Sequence, residues 1–137
     1  MIACRDRRGR FLVHRRPRSS PRFPGYYNWL VGGAVAAGES YEDAARRELA
    51  EELGVRAAPR FVGKFLCRGA IAPYWMGIHE TVLDGPVTVD ASEISRSEWL
   101  TPPSLRKALR QWPFVPDSIE AFGTYSRASS RGRGRSR

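Results

Sequence analysis

The sequence predicts a single domain of the mixed α/β (α+β) class, and three observations support this prediction. With 137 residues, of which 42% are hydrophobic, the chain is long enough to bury one sizeable core. A helix is predicted from about Glu42 to Leu53, because Tyr41, Ala45, Leu49 and Leu53 recur every fourth residue. Segments that read as strands lie on both sides of this helix and are separated by Gly- and Pro-containing connections.

Residues at both ends of the predicted helix fit its boundaries. Ser40 can cap the N-terminus, and Asp43 follows three residues later as in a capping box. Gly54 comes directly after the last turn, as a glycine that ends a helix does, and Pro59 lies a few residues beyond. The helix is therefore the best-defined element of the sequence.

The other elements are predicted from apolar patterning and from turn residues. In chain order they are a short strand Ile2 to Cys4, a strand Phe11 to Arg15, a strand at Leu30 and Val31, strands Arg60 to Leu66 and Tyr74 to Val82, a short strand Val87 to Val89, a helix from Thr101–Pro103 to Pro113, and a short helix Ser118 to Tyr125. Residues 126–137 carry five arginines spaced by Gly and Ser, which predicts a disordered cationic tail after a domain of residues 1–125.

Composition favours anionic partners. The formal net charge is +9, and Lys64 and Lys107 are the only lysines among 23 basic residues. No apolar run approaches the roughly 20 residues of a membrane span, and no signal peptide precedes the first arginines. Cys4 and Cys67 form no metal-binding or redox motif, which favours a reducing, cytoplasmic location and ordinary buried thiols.

Three carboxylates share one arc of the predicted helix. Glu48, Glu51 and Glu52 stand at positions i, i+3 and i+4, where like charges repel by roughly 0.2–0.5 kcal/mol per pair. A hard cation such as Mg²⁺, which binds oxygen ligands, would remove this repulsion. The alternative is a solvated acidic helix face, but that alternative does not account for Glu39 or for the glycines on either side.

Gly33 to Val55 matches every fixed position of the Nudix box, G-x5-E-x7-R-E-U-x-E-E-x-G-U, with Leu49 and Val55 as its bulky aliphatic residues. The sequence thus resembles the Nudix hydrolase family. The resemblance implies a mixed β-sheet sandwiched between helices, with the box forming a loop–helix–loop. It also implies Mg²⁺- or Mn²⁺-dependent hydrolysis of a nucleoside diphosphate linked to another moiety, or of a related organic pyrophosphate.

The resemblance also assigns roles to residues of the box. Glu48, Glu51 and Glu52 would be metal ligands, joined by the backbone carbonyl of Gly33. Either Glu48 or Glu52 could orient or deprotonate the attacking water, and a further carboxylate could come from a loop. The residues concerned, besides those ligands, are Arg47 and Glu39, which would pair with carboxylates and fix the loop onto the helix, and Glu93 or Glu98 as the further carboxylate.

A basic loop leads into the box. It is rich in Pro, Ser and Arg, and its arginines can contact a phosphorylated small-molecule substrate, although a solvated basic loop is the alternative. The four candidates are Arg15, Arg16, Arg18 and Arg22.

Several stretches around the box resemble the Nudix branch related to isopentenyl-diphosphate isomerase, among them Leu12–Arg16 and Phe23–Trp29. The isomerases carry a cysteine and a histidine ahead of their box, where this chain has Val31-Gly32-Gly33. This difference favours hydrolysis over isomerisation. A third hypothesis is a non-catalytic, nucleic-acid-associated protein that uses the arginine tail as a weak, non-specific contact, but no box carboxylate is missing.

Two questions stay open at the level of sequence. Family members usually have more residues before the first strand, so we expect a truncated or abbreviated N-terminal edge strand. Whether the chain forms a homodimer is also open.

His14 and His79 are lone histidines on strand-like segments, and we expect structural roles for both.

Overall fold

In the computed structural model, residues 1–33 and 35–135 are described, and a mixed sheet lies between helices on its two faces. The elements of this part of the chain, in order, are β1 (Ile2–Arg5), β2 (Phe11–Arg15), β3 (Tyr27–Asn28), β4 (Leu30–Val31), α1 (Tyr41–Leu53), β5 (Arg60–Cys67), β6 (Tyr74–Val82), β7 (Arg96–Leu100), α2 (Pro102–Gln111) and α3 (Pro116–Arg135). The predicted mixed α+β class with helices on both sides of a mixed sheet is confirmed.

Strand β1 lies in the middle of the sheet. The strand order is β3-β2-β1-β6-β5, with β4 also paired to β1 and β7 to β2. The pairing of β1 with β6 is parallel, whereas the other strand pairs are antiparallel. The short first strand is therefore the partner of β2, as predicted, and it lies in the middle of the sheet rather than at its edge.

The side chains of β1 divide the core into two halves. Ala3 belongs to a cluster with Leu105 of α2 and Ala121 of α3 on one face of the sheet. Ile2 and Cys4 point to the opposite face, into a cluster that contains Leu49 and Leu53 of α1. This alternation is the period of two expected of a strand that is buried on both sides.

Helix α1 ends within one residue of the predicted bounds. The side chain of Ser40 accepts a hydrogen bond from the Asp43 amide at 3.1 Å, and Gly54 closes the helix with a φ of +64°. Of the four residues in the predicted stripe, Ala45, Leu49 and Leu53 are buried, whereas 40% of Tyr41 is exposed. The caps and the stripe thus fix which side of α1 faces the sheet and which side carries the carboxylates.

The predicted strand Val87 to Val89 is wrong. This segment has no strand partner, and it instead satisfies carbonyl groups at the end of α1. The Thr88 amide donates to the Leu53 carbonyl at 3.0 Å, and the Asp90 amide donates to the Glu52 carbonyl at 2.9 Å. The last carbonyls of a helix lack partners within it, so a neighbouring extended segment can bond to them without forming a sheet.

The C-terminal helix is longer than the sequence predicts. Helix α3 begins at Pro116 rather than Ser118 and continues to Arg135, where a disordered tail was expected from residue 126. Proline is absent after Pro116, and Ala and Arg are good helix formers, so nothing stops the helix at Tyr125. Residues 136 and 137 of the predicted tail lie outside the described residues. Within the described part of the chain, no helix is both long and apolar enough to cross a membrane.

Candidate active site

The backbone glycines that follow β4 pack against two carboxylates of α1. The amide of Gly32 donates a hydrogen bond to Oε2 of Glu52 at 3.1 Å. A Cβ atom placed on Gly33 would lie 2.9 Å from Oε1 of Glu48, closer than real Cβ atoms come. Any side chain at position 33 would therefore displace Glu48, which explains why a glycine starts the motif.

The guanidinium of Arg47 joins the loop to the helix. Its Nε and Nη2 donate to the two carboxylate oxygens of Glu39, at 2.9 and 3.0 Å. Its Nη1 also donates to Glu48 at 2.9 Å and to Glu51 at 3.3 Å. Glu39 accepts a further bond from the Ala36 amide at 3.0 Å. The predicted pairing of Arg47 and Glu39 is therefore seen as a two-point contact, which fixes orientation as well as distance.

The surroundings of the site shift the pKa values of two carboxylates in opposite directions. The hydrogen bonds from Arg47 and from the Ala36 amide lower the pKa of Glu39 to about 2. Burial, together with the nearby charge of Glu48, raises the pKa of Glu52 to about 7, although the Gly32 amide opposes this change. The charged form of Glu52 is thus disfavoured mainly by burial and also by the neighbouring carboxylate, and a bound cation would favour that form.

The sequence suggested two further carboxylates, Glu93 and Glu98. The negative charge of Glu93 helps to raise the pKa of Glu52. Glu98 lies in β7, opposite Val13 of the neighbouring strand. Which of the two would join the metal ligands stays a prediction.

The donor set fits a hard divalent cation. Glu48, Glu51 and Glu52 offer oxygen ligands, the kind Mg²⁺ prefers, and the Gly33 backbone lies against Glu48. Within residues 1–33 and 35–135, no three His, Cys, Asp or Glu side chains already form a metal-binding group. Glu48 and Glu51 are instead paired with Arg47, and the Glu51 side chain is 58% exposed.

The four predicted phosphate-contacting arginines occupy different places. Arg22 lines the cavity described below, and the charge of Arg16 acts on Glu52. Arg15 donates to the Gly25 carbonyl at 2.9 Å and lies over the Tyr27 ring, so it holds the loop itself. Arg18 is exposed on the loop surface. The structure thus brings Arg16 and Arg22 toward the site and gives Arg15 a contact of another kind.

A cavity of about 580 Å³ opens beside the glycines. This volume falls within the range of small-molecule sites. The lining residues include Gly32 and Gly33 with Tyr41 beside them, and also Tyr74, Trp75 and Asp117. Of these lining residues, the glycines and Arg22 were predicted from the sequence to be functional, and the others were not. The hydroxyl of Tyr74 and the carboxylate of Asp117 meet at 2.7 Å across 43 positions of sequence, so no local motif could reveal them.

The two histidines and the two thiols are buried side chains whose roles differ from those of the α1 carboxylates. His14 is buried, and its Nε2 pairs with the Leu30 carbonyl at 2.9 Å. His79 is buried against the Phe61 ring. Cys4 and Cys67 are both buried and free, as the sequence predicts, and burial raises the pKa of the Cys67 thiol to about 11. These thiols are protonated at neutral pH and hence poor nucleophiles.

Comparison with known proteins places the site in a family. The NUDIX domain model matches residues 1–122. An uncharacterized Nudix hydrolase of Streptomyces coelicolor is 42% identical over 124 residues, which cover 88% of this chain and 68% of that protein. A crystal structure from Deinococcus radiodurans superposes with a TM-score of 0.76 at 31% identity, covering 88% of this chain and 76% of the other.

A more distant structure shares the fold. The NUDIX domain of Shewanella oneidensis NrtR, solved in complex with ADP ribose, superposes with a TM-score of 0.65 at 19% identity, covering 95% of this chain and 85% of that one. The family model and the close relative agree with the position-by-position match of Gly33 to Val55. This chain belongs to the Nudix hydrolase family, whose members are enzymes that hydrolyse diphosphate bonds.

Proposed function

We propose that this protein is a divalent-metal-dependent hydrolase that cleaves the diphosphate bond of a nucleoside diphosphate linked to another moiety, or of a related organic pyrophosphate. One observation carries the proposal. The backbone at Gly32 and Gly33 packs against Glu52 and Glu48, and the same two glycines line the end of a ligand-sized cavity. A diphosphate in that cavity would therefore lie beside the acidic face of α1.

The residues that would hold Mg²⁺ or Mn²⁺ are Glu48, Glu51 and Glu52, with the Gly33 carbonyl. A bound divalent ion supplies charge neutralisation at phosphoryl oxygens and a more acidic water. Arg47 keeps Glu48 and the Glu39 loop in a fixed relation, which limits the movement of the ligand set. Either Glu48 or Glu52 would orient or deprotonate the attacking water, and the contact of both carboxylates with the glycine loop supports this role.

The basic residues favour an anionic substrate. Arg22 lines the cavity, and the charge of Arg16 reaches the carboxylates, so both can attract phosphate groups that the carboxylates alone would repel. The ADP ribose bound by the NrtR NUDIX domain, a nucleoside diphosphate linked to a sugar, supports this class of substrate.

The two other hypotheses gain less support from the site. No thiol lies at Val31–Gly33, and the Cys67 sulfur instead contacts Glu120 of α3, which does not favour isomerase chemistry. All three carboxylates and their Arg47 partner are present, which does not favour a scaffold without catalysis.

The direct test measures formation of the two monophosphate products, nucleoside monophosphate and phosphorylated moiety, from a panel of nucleoside diphosphate derivatives, with Mg²⁺ and with a chelator. We expect these products only with metal. The Glu52→Gln variant should lose at least about a hundredfold of turnover, because it removes a ligand charge. Glu42→Gln is the matched control, since Glu42 is exposed on the first turn of the same helix. Turnover by folded Glu52→Gln at the wild-type rate would contradict the proposal.

A further inference from the structure

Two parts of the cavity differ in chemistry. Gly32 lies against Met1, whose amino group donates to the Gly77 carbonyl of β6 at 2.9 Å, so the glycine end of the cavity adjoins Gly77 and the carboxylates proposed to bind metal. Tyr74 lies three residues from Gly77 on the same strand, about 10 Å away, and the wall there comes from the segment before β6 and from the first turn of α3. That wall contains Asp117 and Tyr74. A substrate whose diphosphate lies at the glycine end therefore extends its other moiety toward an acidic group. A second phosphate group would be repelled there, and a hydrogen-bond donor would be attracted.

The contacts of Asp117 define what this end can recognise. The Tyr74 hydroxyl donates to Oδ2 of Asp117 at 2.7 Å, and the Ala70 amide donates to Oδ1 at 3.1 Å. Burial and the bond to Asp117 raise the pKa of Tyr74, so the hydroxyl keeps its proton. The Tyr74 proton is already donated to Asp117, whereas each carboxylate oxygen of Asp117 can accept more than one hydrogen bond. A ligand can therefore donate a hydrogen bond to Asp117.

Two aromatic rings line the cavity, Tyr41 at the glycine end and Trp75 beside Tyr74 on β6. Trp75 is 58% exposed and Tyr41 is 40% exposed, and both line the cavity. Gly77 permits this arrangement, because a Cβ atom there would lie 3.3 Å from the Tyr41 ring. Exposed aromatic faces in a cavity favour a flat ligand ring, which buries apolar area at small entropic cost.

We propose that Asp117, supported by Tyr74, selects the non-phosphate moiety of the substrate by an exocyclic amino group on a heteroaromatic ring. The proposal rests on the proposed function, in that it takes the diphosphate to lie at the glycine end. An amino group donates to the Asp117 carboxylate. A carbonyl at the same ring position places oxygen lone pairs against that carboxylate, so neither acceptor finds a donor. Asp117 is thus a specificity residue and Tyr74 a positioning residue that holds it.

The test compares the binding of ligands that differ only by amino and carbonyl groups. The probes are the α,β-methylene diphosphates of cytidine and uridine, and of adenosine and inosine, which resist hydrolysis. Titration calorimetry with Mg²⁺ gives the ratio of the two dissociation constants. For the wild-type protein we expect at least one pair to favour the amino member by about tenfold or more, the cost of one mispaired group.

Asp117→Asn should reduce that ratio to below about threefold, because an amide both donates and accepts. It retains a carbonyl oxygen for the Ala70 amide, and melting curves check the fold. Tyr74→Phe should reduce the ratio less, and Asp84→Asn, an exposed acid outside the cavity lining, should leave it unchanged.

A wild-type ratio near one for both pairs would overturn the inference, as would an unchanged ratio in folded Asp117→Asn. The proposed function fails separately. If no derivative is hydrolysed yet the amino preference depends on Asp117, the recognition stands without the hydrolysis. If hydrolysis occurs without any preference, the hydrolase stands and the inference is overturned.

Discussion

At the scale of single residues, Arg47 and the two glycines determine the shape of the site. Arg47 donates hydrogen bonds to Glu39, Glu48 and Glu51, so three carboxylates share one positive charge. Gly33 brings the backbone so close to Glu48 that a side chain at position 33 would displace the carboxylate, and the Gly32 amide donates to Glu52. The motif therefore specifies the distance between the glycine backbone and the carboxylates as well as the proposed metal ligands. Single substitutions can test these two contributions separately.

Gly33→Ala should impair activity with little loss of stability. The new methyl group would meet Oε1 of Glu48 at 2.9 Å, and the flexible end of Glu48 would move rather than the fold. We expect a higher Mg²⁺ concentration for half-maximal turnover and a lower kcat, measured beside a melting curve. Gly63→Ala is the control, because a Cβ atom there meets nothing within 4 Å. Equal metal dependence in Gly33→Ala and wild type would contradict the role given to Gly33.

Glu39→Gln should destabilise the protein in a pH-dependent way. The Arg47 and Ala36 bonds hold the pKa of Glu39 at about 2, below the ordinary 4.5. The ionised form therefore contributes stability that is present in full above about pH 4.5 and is lost as the pH falls through about 2. Urea midpoints of wild type and variant should differ at pH 7 and converge between pH 4.5 and 2. A constant difference over that range would contradict the assignment.

At the scale of elements, helix α1 is held by its caps and by its buried side. Leu49 is fully buried between α1 and the sheet. Leu49→Ala should lower the free energy of unfolding by about 2–5 kcal/mol, since the substitution removes buried methyl groups and leaves a cavity. Leu66→Ala is the matched control on β5, where the leucine is 54% exposed, and we expect a change within about 1 kcal/mol. Chemical denaturation measures both values, and similar values for the two variants would contradict this packing.

The accuracy of the sequence predictions follows from how local each signal is. The ends of α1 were predicted because Ser40 and Gly54 act on their own neighbours in the chain. Val87–Val89 was predicted wrongly because a β-like composition cannot tell a strand partner from the carbonyl end of a helix. The length of α3 was missed because its Ser, Gly and Arg composition suggests disorder, and helix periodicity is weak there.

At the scale of the whole molecule, the carboxylates form an acidic site on a basic protein. Six of the 14 acidic residues lie between Glu39 and Glu52, while the net charge is +9. The metal-binding face could be predicted, because its residues share one helix. The opposite wall of the cavity could not, because Tyr74 and Asp117 meet only through the fold.

The basic C-terminal residues should contribute positive charge and take no part in turnover. Deleting residues 132–137 removes three arginines, and we expect turnover of a small nucleotide substrate to stay within about twofold. Binding to RNA or DNA, if it is measurable, should weaken evenly across sequences. Each lost phosphate contact should reduce the slope of log K against log salt by about 0.7–0.9. A tenfold loss of turnover would assign these residues to the active site instead.

The parallel pairing of β1 with β6 also constrains how the chain folds. Ile2 pairs with His79 and Arg5 with Val82, so the central strand emerges from the ribosome long before its partner. Until then, β1 can pair only with β2 and β4, and the long-range pairing with β6 forms slowly. The nascent chain therefore cannot complete the sheet from its first half. The core on the side of Ala3 waits still longer, because its helices α2 and α3 follow β6 in the chain.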